Sequence, residues 1–217
     1  MTPRSSLISS ALSDYVVAHT EQPDEVMAAL IQETAAMPEV SLQIGPDQAA
    51  FMTLLARSVG ARRAIEIGTF TGLSALAVGR ALPEDGSLLC CDINAEWTAI
   101  GRRYWELAGI SDRIELRIGP AAQTLGSLPE EPTYDFAFVD ADKTGYAGYV
   151  AALYPRMRTN GLVLLDNTLR AGRVLRTTET SADDEALIVL NDELIADNRW
   201  ETVLLPVADG LTLLRKR

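Results

Sequence analysis

From Gly60 onward, short runs of apolar residues alternate with longer amphipathic stretches. Short apolar runs bounded by turn residues predict buried strands, and apolar residues three or four positions apart predict helices. The predicted strands are Arg63–Ile67, Ser87–Cys91, Arg113–Ile118, Tyr134–Val139 and Gly161–Asp166. The helices predicted between them are Gly72–Leu82, Ala95–Ala108, Ala121–Leu128 and Tyr146–Met157. Strands that alternate with helices predict an α/β fold with a parallel sheet and right-handed crossover connections.

The C-terminal part of the chain departs from this alternation. After a predicted helix at Asp183–Asn198, the apolar segments Trp200–Leu205 and Gly210–Arg215 flank a turn that contains Pro206. Two strands joined by such a turn are expected to pair antiparallel. The whole chain therefore predicts a mostly parallel seven-stranded sheet with helices on both faces and an antiparallel C-terminal strand.

The N-terminal part is predicted to be helical. Apolar residues recur at helical spacing between Ser6 and Met37, with a break at Pro23. A short loop, Ser41–Gly45, precedes a helix that begins at Pro46 or Asp47 and runs to about Val59, since proline is accepted in the first turn. We expect one domain over residues 1–217, in which residues 1 to about 45 form a helical cap over the site. The periodicity fits a packing appendage equally well.

Composition and charge exclude several classes of partner. The 217 residues carry a net charge of −11, whereas nucleic acids and anionic membranes select basic surfaces, so neither is expected as a partner. No apolar run reaches the roughly 18 residues of a membrane span. The segment Met1–Ser6 lacks the pattern of a signal peptide, which favours a cytoplasmic protein. The adjacent Cys90 and Cys91 are expected to be buried thiols, and the single histidine, His19, to lie at a helix end rather than in catalysis.

The segment from Glu66 to Ser74 joins a strand to a helix through a glycine turn, Gly68. Glycine allows a tight turn and a close approach to the backbone. The free N–H groups and the dipole at the start of the next helix suit an anionic ligand. The spacing Glu-x-Gly-x-x-x-Gly differs from the Gly-x-Gly-x-x-Gly of dinucleotide-binding folds. The segment also fits an ordinary strand-to-helix turn.

Acidic residues end three further strands. Asp92 lies about 20 residues beyond the glycine turn, where an acidic side chain can bind ribose hydroxyls. Asp140, Asp166 and Asn167 end the fourth and fifth strands, at the same edge of a parallel sheet. Oxygen ligands without histidine or cysteine suit a hard cation, with Mg²⁺ first and Mn²⁺ or Ca²⁺ as alternatives. Such residues can also simply cap the helices that follow them.

These motifs resemble one family over nearly the whole chain, from about Leu7 to Arg217. Segments 66–74, 139–143 and 166–169 are similar to the cation-dependent O-methyltransferases that include catechol and caffeoyl-coenzyme A O-methyltransferases. The resemblance implies a Rossmann-like class I fold, S-adenosylmethionine and a divalent cation as cofactors, and a small phenolic substrate. Relatives are commonly homodimers, so a homodimer is expected.

The resemblance also implies residue roles. Lys143 matches the general base. The cation ligands are Asp140, Asp166 and Asn167. The implied cofactor contacts are Ile44, Glu66, Gly68, Thr69, Ser74, Asp92, Ala121 and Asp140, with Glu66 to Ser74 at the methionine part, Asp92 at the ribose and Ala121 at the adenine.

The chain departs from two characterised patterns. Plant caffeoyl-coenzyme A enzymes carry an asparagine at the position of Ala171, and the catechol enzyme carries His-Trp at Ala141-Asp142. Neither substrate therefore transfers directly, and segment 166–174 is more similar to bacterial members with small phenolic substrates. Two alternatives stay open on the sequence: a nicotinamide-binding protein on a similar sheet, and a non-catalytic binding module.

Overall fold

Seven strands form one mixed sheet in the computed structural model, which describes residues 7–177 and 179–217. Their order is β3-β2-β1-β4-β5-β7-β6, with β1 to β5 parallel and β7 antiparallel to both of its neighbours. The predicted fold class is confirmed. The strands are β1 (Arg63–Ile67), β2 (Ser87–Asp92), β3 (Ile114–Ile118), β4 (Tyr134–Val139), β5 (Met157–Asp166), β6 (Trp200–Leu205) and β7 (Leu211–Lys216).

Eight α-helices surround this sheet in the described part of the chain. Every helix predicted between strands is present, with ends shifted by a few residues. The helices are α1 (Ser10–Ala18), α2 (Glu25–Ala35), α3 (Pro46–Ser58), α4 (Leu73–Ala81), α5 (Ala95–Leu107), α6 (Ala121–Ser127), α7 (Tyr146–Leu153) and α8 (Ala182–Ala196).

The connection from α7 to β5 differs from the predicted boundaries. Helix α7 ends at Leu153 instead of Met157, a 3₁₀ turn follows at Tyr154–Arg156, and β5 begins at Met157. Pro155 explains the early end, because proline has no N–H and restricts the residue before it. Met157 then pairs with Tyr134, so the strand begins four residues before the predicted Gly161. A second 3₁₀ turn, Val40–Leu42, occupies part of the predicted 41–45 loop.

The core lies on both faces of the sheet, because successive side chains of a strand point to opposite sides. On β1, Ala64 packs in the cluster formed with α3, α4 and α5, whereas Ile65 packs in the cluster formed with α6, α7 and α8. Cys90 and Cys91 divide between the same two clusters as buried free thiols, as predicted. Within the described residues, no helix is long and apolar enough to cross a membrane.

The N-terminal helices differ in how they attach to the sheet. Leu30 of α2 is fully buried in the core, and Thr34 donates a hydrogen bond of 2.9 Å to Thr71 beside the glycine turn. Helix α1 instead exposes Leu12 and Tyr15. His19 is the C-cap of α1, as expected. The predictions on Met1–Ser6 lie outside the described residues, and the single domain with an N-terminal cap stays a prediction.

The register of the parallel strands brings the strand ends together. Ile67 pairs with Cys91 on one side and with Val139 on the other, and Val139 pairs with Leu165. The next residues along these four strands therefore emerge at one edge of the sheet. They are Gly68, Asp92, Asp140 and Asp166. The strand order also reverses at β1, which is where open α/β sheets bind their ligands.

Candidate active site

A cavity of about 870 Å³ lies at this edge of the sheet. Glu66 is the one predicted site residue that does not line it: its side chain is buried within β1 at 1% exposure. The predicted residues that line the cavity are Ile44, Gly68, Thr69, Ser74, Asp92, Ala121, Asp140, Lys143, Asp166 and Asn167. The structure thus gathers nearly the whole predicted set around one space.

Gly68 and Gly72 shape the turn for different reasons. Gly68 has a φ of +88°, and a Cβ there would collide with the backbone carbonyl oxygen of Asp140. Glycine is thus required by the neighbouring strand end, and not only by the ligand approach that the sequence suggested. A Cβ on Gly72 would lie 2.7 Å from the Trp105 ring, whose Nε1 donates to the Gly72 carbonyl at 3.1 Å. Gly72 thus allows close packing of Trp105 at the start of α4.

The carboxylate of Asp92 holds the glycine turn in place. Its Oδ2 accepts the backbone N–H groups of Thr69 and Phe70, each at 2.8 Å, and its Oδ1 accepts that of Asn94 at 2.8 Å. A carboxylate oxygen offers two lone-pair positions. Oδ1 therefore keeps one acceptor position for a ligand in the cavity. The sequence had suggested a carboxylate with both oxygens free for ribose hydroxyls.

Three side chains around the turn carry buried polar atoms with no hydrogen-bond partner among the described residues. They are Glu66, Thr69 and Gln43, and the last two border the cavity. Burial raises the pKa of Glu66 to about 8, and the nearby hydroxyls of Ser74 and Thr69 offset this only in part. Buried polar groups in native proteins normally have partners. The cavity therefore suits a ligand with charged and polar groups at this end.

An aromatic wall borders the cavity beyond the β2 end. Phe70 and Trp97 meet edge to face, with ring centroids 5.1 Å apart. Gly119, Pro120 and Ala121 lie along the same cavity, where α6 begins. Aromatic rings and small apolar residues of this kind suit a flat ring system.

Two carboxylates and an amide meet where β4 and β5 end. Asp166 is 2% exposed, and its Oδ2 accepts a hydrogen bond of 2.9 Å from Nε2 of the buried Gln48. Its Oδ1 accepts the backbone N–H of Asn167 at 2.7 Å. Burial, together with the negative charge of Asp140, raises the pKa of Asp166 to about 7. Asn167 has a φ of 58°, a left-handed conformation that asparagine tolerates.

Lys143 connects the acidic pair to a buried tyrosine. Its Nζ donates to Oδ1 of Asp140 at 2.8 Å and to the hydroxyl of Tyr146 at 2.7 Å, and the residue is 8% exposed. The Tyr146 hydroxyl lies 3.0 Å from the carbonyl oxygen of Val139 and 3.1 Å from that of Asp166. Burial raises the pKa of Tyr146 well above its usual range. The lysine is therefore held at the cavity wall by Asp140 at the end of β4 and by Tyr146 of α7, whose hydroxyl lies against the ends of both strands.

The atoms that Asp140, Asp166 and Asn167 present to the cavity determine which kind of metal ion could bind there. Among the described residues, no group of three or more His, Cys, Asp or Glu side chains could hold a metal ion. The predicted set contains only two carboxylates and reaches three ligands through the amide oxygen of Asn167. Such an all-oxygen set fits a hard cation that keeps several of its waters.

Two residues that hold the acidic centre, Gln48 and Tyr146, were absent from the sequence interpretation. Gln48 lies 118 positions before Asp166 in the chain, and no local motif indicates their contact. Tyr146 follows Lys143 by three positions, a spacing that places two side chains on one helical face. That spacing was a usable signal for Tyr146.

Comparison with known proteins agrees with this geometry. The O-methyltransferase family model matches residues 17–217. Caffeoyl-CoA O-methyltransferase 5 from Nicotiana tabacum is 37% identical over 225 residues, covering 98% of this chain and 94% of that protein. A methyltransferase from Podospora anserina, solved with S-adenosylhomocysteine, is 27% identical with a TM-score of 0.86, covering 95% of this chain and 94% of that one.

A bacterial relative is also a methyltransferase of similar structure. The O-methyltransferase from Bacillus cereus, also solved with S-adenosylhomocysteine, is 27% identical with a TM-score of 0.84, covering 95% of this chain and 97% of that one. The mixed seven-stranded sheet is thus the class I methyltransferase fold. The chain belongs to the O-methyltransferase family, and the prediction of an enzyme of this class is confirmed.

Proposed function

We propose that this O-methyltransferase transfers a methyl group from S-adenosylmethionine to one hydroxyl of a small aromatic ring that carries two neighbouring hydroxyls, with the help of a divalent cation. The observation that carries the proposal is the convergence of Asp140, Asp166, Asn167 and Lys143 on the cavity that the glycine turn also borders. An oxygen-rich centre and a lysine next to a nucleoside-sized space fit a reaction between a phenol and a large charged cofactor.

The fit to S-adenosylmethionine rests on this chain's own groups. Thr69, Ser74 and Ile44 would hold the methionine part, where buried polar atoms lack partners. Asp92 would hold the ribose through Oδ1, and Ala121 would border the adenine with the aromatic wall. Glu66 would act from within β1, where burial raises its pKa to about 8 and favours the protonated carboxyl at neutral pH. Two relatives solved with S-adenosylhomocysteine support this assignment. The bound cofactor supplies a sulfonium methyl group.

The fit to a divalent cation rests on the chemistry of the donor set. Asp140, Asp166 and Asn167 would bind it through oxygen atoms, and Gln48 would keep the Asp166 carboxylate oriented. We expect Mg²⁺, with Mn²⁺ or Ca²⁺ as alternatives. When bound, a cation would supply Lewis acidity that polarises a coordinated oxygen and favours its deprotonated form.

The residues around the acceptor have defined tasks. A phenol has a pKa near 10 and is largely unionised at neutral pH, so its oxygen is a poor nucleophile. Lys143, in its neutral form, would accept the phenolic proton at Nζ, and Tyr146 and Asp140 keep that nitrogen at the cavity wall. The rest of the cavity excludes water and aligns two bound reactants, which is a large part of the rate gain in such reactions.

The proposed substrate class rests on the residues that this chain shares with the family and on those at which it differs. Ala171 and Ala141-Asp142 replace residues found in the plant and catechol enzymes, so we propose a catechol-like or hydroxycinnamoyl-like acceptor without choosing between them. Incubation with S-adenosylmethionine, Mg²⁺ and a panel of aromatic vicinal diols, followed by mass spectrometry, tests this. We expect products that carry one added methyl group. A panel without any methylated product would contradict the proposal, and binding of NAD in place of S-adenosylhomocysteine would favour the nicotinamide alternative.

Asp92→Ala is expected to weaken S-adenosylhomocysteine binding about 10- to 100-fold. A hydrogen bond to a charged group contributes about 1.5–3 kcal/mol, and about 1.4 kcal/mol corresponds to a tenfold change in affinity. Isothermal titration calorimetry measures the affinity. Asp135→Ala is a matched control, because Asp135 Oδ2 likewise accepts two backbone N–H groups, those of Arg62 and Arg63, at the opposite end of β1. Unchanged affinity in a folded Asp92→Ala protein would rule out the ribose contact.

Gln48→Leu is expected to weaken cation binding about 10- to 100-fold, the usual cost of losing a residue that orients a metal ligand. The substitution keeps the side-chain size and removes the donor to Asp166. Electron paramagnetic resonance of Mn²⁺ titrations measures the affinity without turnover. Gln32→Leu, on the exposed face of α2, is the control. Equal Mn²⁺ affinity in wild type and Gln48→Leu would show that Gln48 only fills space.

A further inference from the structure

The loop that follows β5 is held rigidly at the wall of the cavity. Asn167, Arg170, Ala171 and Gly172 all have left-handed backbone conformations. The loop is fixed to segment 209–210, because the N–H of Thr168 donates to the Gly210 carbonyl at 3.0 Å and that of Leu169 to the Asp209 carbonyl at 3.0 Å. This backbone is therefore anchored to a neighbouring segment, of which Asp209 also lines the cavity.

The side chain of Arg170 is fixed as firmly as its backbone. Its Nε donates to Oδ1 of Asp184 at 2.7 Å. Asp184 is 1% exposed, belongs to the capping box at the start of α8, and also receives Nε of Arg173 at 3.1 Å. Anchoring through Nε leaves the two terminal nitrogen atoms of Arg170 available. Within the described residues neither of them donates a hydrogen bond, and Nη2 forms an ion pair of 4.0 Å with Oδ2 of Asp183.

Arg170 is ion-paired with Asp184 and Asp183, and it is the cavity-lining cation whose terminal nitrogen atoms donate no hydrogen bond among the described residues. The positively charged side chains among its described lining residues are Lys143 and Arg170. Lys143 already donates to Asp140 and Tyr146. Asp142 also lines the cavity, and its Oδ1 accepts a hydrogen bond of 2.5 Å from the Tyr149 hydroxyl. Arg173, which shares Asp184, does not line the cavity.

We propose that Arg170 determines acceptor specificity by binding a carboxylate on the substrate, so that the preferred acceptors are aromatic vicinal diols that carry a carboxylate. The inference rests on the proposed function. A guanidinium group donates two parallel hydrogen bonds to a carboxylate, and a side chain already fixed by a buried partner loses little further freedom on binding. An ammonium group placed against the Arg170 guanidinium would lack these hydrogen bonds, because neither group has an acceptor.

The test compares three acceptors of similar size: a dihydroxybenzoate, unsubstituted catechol and a catecholamine. For the wild type we expect the highest kcat/KM with the dihydroxybenzoate. Arg170→Gln should lower that value about 10- to 100-fold, mainly through KM, the range for a lost hydrogen bond to a charged group. Arg170→Gln should change kcat/KM for catechol less than about threefold, which is smaller than the effect of losing one hydrogen bond to a charged group. Arg173→Gln is the matched control and should retain the preference.

Three results would overturn the inference while the proposed function stands. They are an equal loss for all three acceptors in Arg170→Gln, no loss for the dihydroxybenzoate, and a wild-type preference for the catecholamine. If no acceptor is methylated, the proposed function fails, and calorimetry with the dihydroxybenzoate alone decides the carboxylate site. Weaker binding in Arg170→Gln but not in Arg173→Gln would support it, and equal binding in all three proteins would overturn it.

Discussion

Lys143→Ala is expected to lower kcat about 10²–10⁴-fold, the range for loss of a general acid or base. The reason is geometric as well as chemical, because Nζ is held at the cavity wall by Asp140 at 2.8 Å and Tyr146 at 2.7 Å. The affinity for S-adenosylhomocysteine should stay nearly unchanged, since Lys143 is assigned to the acceptor side. The defect should shrink at higher pH and with more acidic phenols, because these acceptors ionise without help.

The dependence on acceptor acidity separates a base from a positioning group. Turnover of both proteins over a series of substituted catechols, at saturating cation, gives one line each against phenol pKa. A steeper line for Lys143→Ala supports proton transfer, whereas parallel lines would show that Lys143 only positions the acceptor. Lys216→Ala is the matched control, because this lysine donates to the carbonyls of Tyr154 and Met157 and does not line the cavity.

Removal of divalent cations is expected to abolish turnover, and Mg²⁺ or Mn²⁺ should restore it. The expectation rests on the oxygen donors Asp140, Asp166 and Asn167 at the cavity. The folded chain should also be stabilised by the cation, because a ligand that binds only the native state raises its stability. Thermal unfolding of EDTA-treated protein with and without Mg²⁺ therefore measures binding independently of catalysis.

A matched pair of variants sharpens the cation experiment. Asp166→Asn should lose both the Mg²⁺-dependent rise in Tm and the activity. Asp135→Asn, which changes a carboxylate at the other end of the sheet, should keep both. Full activity in protein shown to be metal-free by elemental analysis would contradict cation dependence and leave Lys143 as the main source of phenol activation.

The class of fold and the place of the site could be predicted from the sequence because both depend on local patterns. Alternating apolar runs fixed the strands, and in a parallel sheet successive strands end at the same edge. Gly68, Asp92, Asp140 and Asp166 therefore had to meet once the register was set, as the pairing of Ile67, Cys91, Val139 and Leu165 confirms.

The contacts that define each side chain's environment depended on how distant elements pack. The sequence could not show that Gln48 reaches Asp166 or that Glu66 lies outside the cavity. Nor could it show that Asp92 accepts two N–H groups of the glycine turn and that of Asn94. The orientation of Arg170 likewise depends on Asp184, which belongs to another element. Periodicity and spacing carry information along one segment, whereas burial and hydrogen bonding between segments exist only after helices α3 and α8 have packed against the sheet.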